Sequence, residues 1–129
     1  MIKTSQNADP APEVAESSLL ECWARDNQVP CLRVELADPS VFIFPYGQFV
    51  FAQLTGTPSQ QTLHASFASH AVKVTGSDLA EIFKALQTLS VEWIKPTISR
   101  YAALVPKGSP KVVSITVENL AEQERQNGE

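Results

Sequence analysis

Strict alternation of apolar and polar residues first appears in "LRVEL", where Leu32, Val34 and Leu36 interleave with Arg33 and Glu35. That period of two predicts a strand with one buried face. "ADPS" follows and has the chemistry of a turn. "VFIF" and "FVFAQL" come next, joined by "PYGQ". Gly47 is expected to supply a positive φ at the third position of a type II turn, so a bend or longer loop joins the two strands. Both strands are apolar at consecutive positions. Such a strand lies beneath two layers or offers a greasy face to a partner.

"TGTPSQQ" reads as a loop, with the next strand starting at Thr62. Leu63, Ala65 and Phe67 share one face of it, whereas Val72 and Val74 fall on the opposite parity. One buried face cannot change parity without a slip, so "ASHA" must contain a bulge or a tight turn. "SDLAEIFKALQTL" then places Leu79, Ile82, Phe83, Leu86 and Leu89 in a helical stripe. A helix over about 78–89 is predicted. Asp78 and Glu81 have capping-box spacing, with Ser77 as the rival cap, Gly76 permitting the turn, and Lys84 near Glu81 on the polar side.

"SVEWI" predicts a short strand with Val91 and Trp93 on one face, and "KPTISRYAALVPKGSP" predicts irregular chain. "KVVSITVE" alternates Val113, Ile115 and Val117 with Ser114 and Thr116, a last strand. In "NLAEQERQNG", Asn119 and Glu122 again have capping-box spacing, which predicts a short polar helix. Near the start, "PEVAESSLLECWARDN" fits a short helix with Pro12 in its first turn, though "LLECWA" also fits a strand.

The expected fold is therefore α+β: an antiparallel sheet of about five to six strands with one helix packed on one face. Residues 1–12 form a polar, proline-containing, disordered tail, residues 13–117 the single domain, and residues 118–129 a short polar helix or tail. A chain of 129 residues can build such a core without a disulfide or a metal as a staple.

Charge narrows the partners. The net charge of −4 gives little of the counterion release that drives non-specific binding to DNA. It is unevenly spread: Lys95, Arg100, Lys107 and Lys111 lie in a stretch without acids, between acidic chain ends. The first residues contain no apolar run, and no stretch has the length of a membrane span. The expected setting is the cytoplasm, with Cys22 and Cys31 as reduced thiols.

Candidate chemistry is thin. Cys22, Cys31, His64 and His70 are zinc-ligand types, but C-x8-C is too wide for a zinc knuckle and the histidines flank a parity change. No cofactor or metal is expected. A thiol–imidazole pair would make a small Cys/His enzyme, yet nothing local activates either thiol, and G-x-S-x-G is absent. "VKVTGSDL" runs from strand to helix through glycine but lacks a phosphate-binding glycine pattern, and Asp78 would repel a phosphate there.

Phe42, Phe44, Tyr46, Phe49 and Phe51 remain. One amphipathic helix cannot hide so much apolar surface, so the leading expectation is a non-catalytic protein-interaction or oligomerisation module that buries these rings against another chain. The alternative is a weak single-stranded nucleic-acid binder that stacks bases on the same rings and uses the basic 95–111 stretch.

Overall fold

A computed structural model describes residues 20–121. The 1–12 tail and the first half of the helix expected over 12–27 lie outside them, as do residues 122–129. Leu20 is helical and Trp23–Arg25 is a strand, β1, so the described part of this segment divides between the two expectations.

Seven further strands follow: β2 (Cys31–Glu35), β3 (Val41–Pro45), β4 (Phe49–Thr57), β5 (Gln60–Phe67), β6 (His70–Ser77), β7 (Val91–Ile94) and β8 (Lys111–Asn119). Among the described residues one α-helix is complete, α1, spanning Ala80–Gln87. The chain is α+β, but the expected single sheet is two. The first has the order β1-β7-β2-β3 and the second β4-β5-β6-β8. All neighbours pair antiparallel except β2 and β7, where Arg33 faces Trp93 and Val34 faces Ile94 in parallel register.

The second sheet accounts for the apolar excess. Leu32, Val34 and Phe44 from the first sheet share one buried cluster with Leu63, Ala65, Phe67, Val72, Val74 and Ile115 from the second. Leu79, Ile82, Ala85 and Leu86 of the helical segment complete it, and α1 touches β4 of one sheet and β7 of the other. Thr97 and Val112 stitch the layers together. The Thr97 N–H donates to the Val112 carbonyl at 2.8 Å, and the Val112 N–H donates to Thr97 Oγ1 at 2.9 Å.

The parity change resolves as a tight turn at Ala68–Ser69 between β5 and β6. The expected loop "TGTPSQQ" is shorter than its composition implied: Thr57 already faces Gln60, leaving Pro58 and Ser59 as the turn. Gly56 makes this possible with φ +96, where a Cβ would lie 2.3 Å from the Gln60 carbonyl oxygen. Gly47, by contrast, sits in a short 3₁₀ turn, Tyr46–Gln48, without a positive φ, so no type II turn forms. β7 buries Val91 and Ile94 and leaves Trp93 half-exposed, rather than putting Val91 and Trp93 together. Part of the 95–110 segment is a second 3₁₀ stretch, Ser99–Leu104. β8 continues to Asn119, whose Oδ1 accepts the Ala121 N–H at 3.0 Å.

The start of α1 differs most from expectation. Neither Ser77 nor Asp78 caps it. Ser77 ends β6, and Asp78 turns the chain with φ +54. The first orphan donor is met from another strand: the Leu79 N–H donates to Gln61 Oε1 at 2.7 Å, in a buried position. Gln61→Leu should therefore strand a buried N–H and cost about 1–2 kcal/mol. Urea unfolding of the variant checks this, as a lower midpoint at unchanged slope.

Candidate interaction edge

The five rings singled out by sequence do not form an exposed platform. Phe44 and Tyr46 are buried, Phe42 and Phe49 are half-buried, and only Phe51 stands out, 53% exposed. Alternation explains the split within β3, whose even positions point inward. Phe44 stacks on Phe67 of β5 with centroids 4.8 Å apart, and Phe49 meets the same ring at 5.5 Å. Phe42 stacks on Phe44 at 5.7 Å. The Tyr46 hydroxyl donates to the Val91 carbonyl at 2.8 Å, and burial pushes its phenol well above the usual tyrosine range. The expectation of one exposed five-ring surface is corrected: packing between the two sheets buries Phe44 and Tyr46 within a single chain and half-covers Phe42 and Phe49.

Apart from Phe51, what remains exposed is aliphatic and lies largely at sheet edges. Among the described residues, the large apolar side chains open to solvent are Val41 and Ile43 on β3, Val50 and Phe51 on β4, Val113 on β8, and Leu104. β1, β3, β4 and β8 are the four edge strands. Three of them carry the features that discourage pairing with another chain. β1 has three residues and a register shift at Ala24/Arg25. β4 has a bulge between Phe49 and Phe51, and α1 runs against it. The β8 ladder is interrupted opposite Thr75/Gly76, and the strand carries Lys111 and Glu118. β3 is regular and uncharged, with proline only at its last position.

The register of the β2–β3 hairpin shows where the backbone of β3 points. The Leu36 N–H donates to the Ser40 carbonyl at one end, and the Tyr46 N–H donates to the Pro30 carbonyl at the other. Stepping by two between these bonds makes Val34–Phe42 and Leu32–Phe44 the hydrogen-bonded pairs. The N–H and C=O groups of Val41 and Ile43 therefore face away from β2, toward the free edge. Their side chains stand on the outer face, 55% and 58% exposed. Among the described residues, no loop or turn backbone bond reaches either residue. Sequence showed that β3 is apolar on both sides. It did not show that β3 is an edge, because that follows from the strand order.

Beside β4 lies a second apolar feature, a cleft of about 350 Å³ lined by Phe49, Ala52, Phe83, Leu86 and Gln87.

The polar candidates do not gather into one site. Cys22 is buried, its thiol donates to the Pro110 carbonyl at 3.4 Å, and burial pushes its pKa up. A raised pKa disfavours the reactive thiolate. Cys31 is half-buried on β2, opposite Pro45. His64 is exposed and faces Lys73, whereas His70 packs near the Phe42 and Phe44 rings and bonds Ser69 Oγ through Nδ1 at 2.7 Å. Among the described residues, no three His, Cys, Asp or Glu side chains gather as a metal-binding group.

The basic stretch does not converge on the rings either. The Lys95 ammonium lies 5.2 Å from the Trp93 ring centroid and the Arg100 guanidinium 5.2 Å from that of Tyr101. Phe44 and Tyr46 are sealed in the core, away from any base that would stack on them. Among the described residues, no helix is long and apolar enough to cross a membrane. A scan against family models found no match, and comparisons with curated proteins and with solved structures found no relative.

Proposed function

We propose that the protein is a non-catalytic interaction module that binds another chain by adding a strand to the free edge of β3. One observation carries this reading: β3 combines outward backbone donors and acceptors with exposed Val41 and Ile43, and it has no charge, bulge or helix against it. Strand addition draws its affinity from main-chain bonds and its selectivity from alternate side chains, and this edge presents both. Exposed apolar residues on the outer face of a regular edge are otherwise a liability for aggregation.

The test uses a synthetic peptide with the sequence of residues 40–46, flanked by lysines for solubility. On titration into the full chain it should slow hydrogen exchange at the Val41 and Ile43 amides and leave the amides of β8 unchanged. Ile43→Lys should abolish that protection while changing stability by less than about 0.5 kcal/mol, because the side chain is largely in solvent. Exchange at Val41 and Ile43 that ignores both this peptide and an unrelated lysine-flanked Val/Ile-rich strand peptide counts against strand addition.

A further inference from the structure

Building on that reading of the edge, we infer that the strand β3 receives is β3 of a second copy, antiparallel, with Val41 opposite the partner's Ile43. Three features of the strand select this occupant and this register.

The first is the count of backbone groups. With Val41 facing the partner's Ile43, the two-fold axis passes through Phe42. The outward N–H and C=O of both Val41 and Ile43 then all find partners, since outward-facing residues form the hydrogen-bonded pairs. Sliding the axis to Ile43 sets Val41 opposite the partner's Pro45, which has no N–H, and leaves the Val41 carbonyl unmet.

The second is side-chain chemistry. β3 is "VFIFP", with no charge to repel its own copy. On the outer face, β-branched Val41 meets β-branched Ile43, a favourable cross-strand pair. On the inner face, half-buried Phe42 stands directly opposite the partner's Phe42, which would complete the burial of both rings.

The third is charge along the rows of the joined sheet. Within one chain, Glu35 of β2 faces Val41 and Arg33 faces Ile43, and Arg33 Nε donates to Glu35 Oε2 at 2.9 Å. In the Val41–Ile43 register, each four-strand row begins with Glu35 and ends with the partner's Arg33. In the Ile43–Ile43 register, one row would end in arginine on both sides. Across roughly 14 Å the attraction is small, but its sign agrees with the hydrogen-bond count.

The experiment joins three measurements on the full chain. Light scattering and amide exchange are followed across a dilution series from millimolar to micromolar protein. Val41→Cys and Ile43→Cys, each in a Cys31→Ser background, are oxidised alone and as a mixture. Protection of the Val41 and Ile43 amides should rise with dimer concentration. The mixed disulfide should form at least several-fold faster than either variant's own. Ile43→Pro removes the outward N–H and the Ile43 side chain without breaking a bond to β2, and Ile43→Lys keeps the backbone intact; each should weaken the dimer at least tenfold.

Faster self-linking of Ile43→Cys would overturn the register. A monomer at every concentration, with freely exchanging Val41 and Ile43 amides, would overturn the second copy while leaving the edge open to a different protein's strand. A monomer whose Val41 and Ile43 amides are protected at every concentration would overturn both this inference and strand addition itself.

Discussion

Phe67→Ala is expected to lose about 4 kcal/mol of stability, the upper range for truncating a buried aromatic. Phe67 is 1% exposed and sits where the two sheets meet. Its ring contacts Phe44 at 4.8 Å, Phe49 at 5.5 Å and Tyr46 at 6.4 Å. Removing it opens a cavity among three other rings, which cannot collapse without moving β3 toward β5. Against a typical total of about 5–15 kcal/mol, that loss would leave little folded protein in mild denaturant. Phe51→Ala is the control. Its ring is 53% exposed, and the change should stay within about 0.5 kcal/mol. Urea melts of the two variants check the contrast. Equal, small losses would mean that the rings do not form a core.

Gly76→Ala should cost about 3 kcal/mol, at the high end for overpacking. The sequence suggested that Gly76 permits a turn before the helix. In the structure it is inside β6 and buried, facing Val112 of β8 next to an interruption of the ladder. A Cβ there would lie 1.9 Å from the Lys111 carbonyl oxygen and 3.0 Å from its carbon. Both are backbone atoms, so relief requires β8 to move away from β6. β8 also holds the Thr97–Val112 bonds that tie the layers, so the shift would propagate into the first sheet. Thermal unfolding of Gly76→Ala checks this. Gly47→Ala, where an added Cβ meets nothing within 4 Å, should melt close to the parent protein.

The elements that sequence revealed are those whose periodicity is local. The alternation that begins at Leu32 and the β5–β6 pair with its change of parity appear where the residue pattern placed them, and α1 appears within its expected range but shorter, over Ala80–Gln87. What it did not reveal depends on distant partners. The Gln61–Leu79 cap joins a strand residue to a helix start, and no spacing rule within "SDLAE" could announce it. The split into two sheets depends on β4 pairing with β5 and not with β3, and the first sheet closes by β7 inserting between β1 and β2; local periodicity encodes neither. That split also misdirected the reading of the candidate site. With one sheet assumed, five aromatic residues had no cover; with two, Phe44 and Tyr46 are interior and the exposed surplus passes to Val41 and Ile43. The candidate edge was legible only as a strand apolar on both sides, because being outermost is a property of topology.

The parallel alignment of Arg33 with Trp93 also sets an order of events as the chain is made. β2 and β3 leave the ribosome early and can form their hairpin at once. The strand that belongs on the other side of β2 emerges only after the whole of β4, β5, β6 and α1. Until then the nascent hairpin has two open flanks, and the β3 flank carries exposed Val41 and Ile43. Such long-range closure slows folding and prolongs exposure to unwanted pairing. Substitutions in β7 that delay its arrival should therefore reduce soluble yield more than they reduce the stability of the protein that does fold.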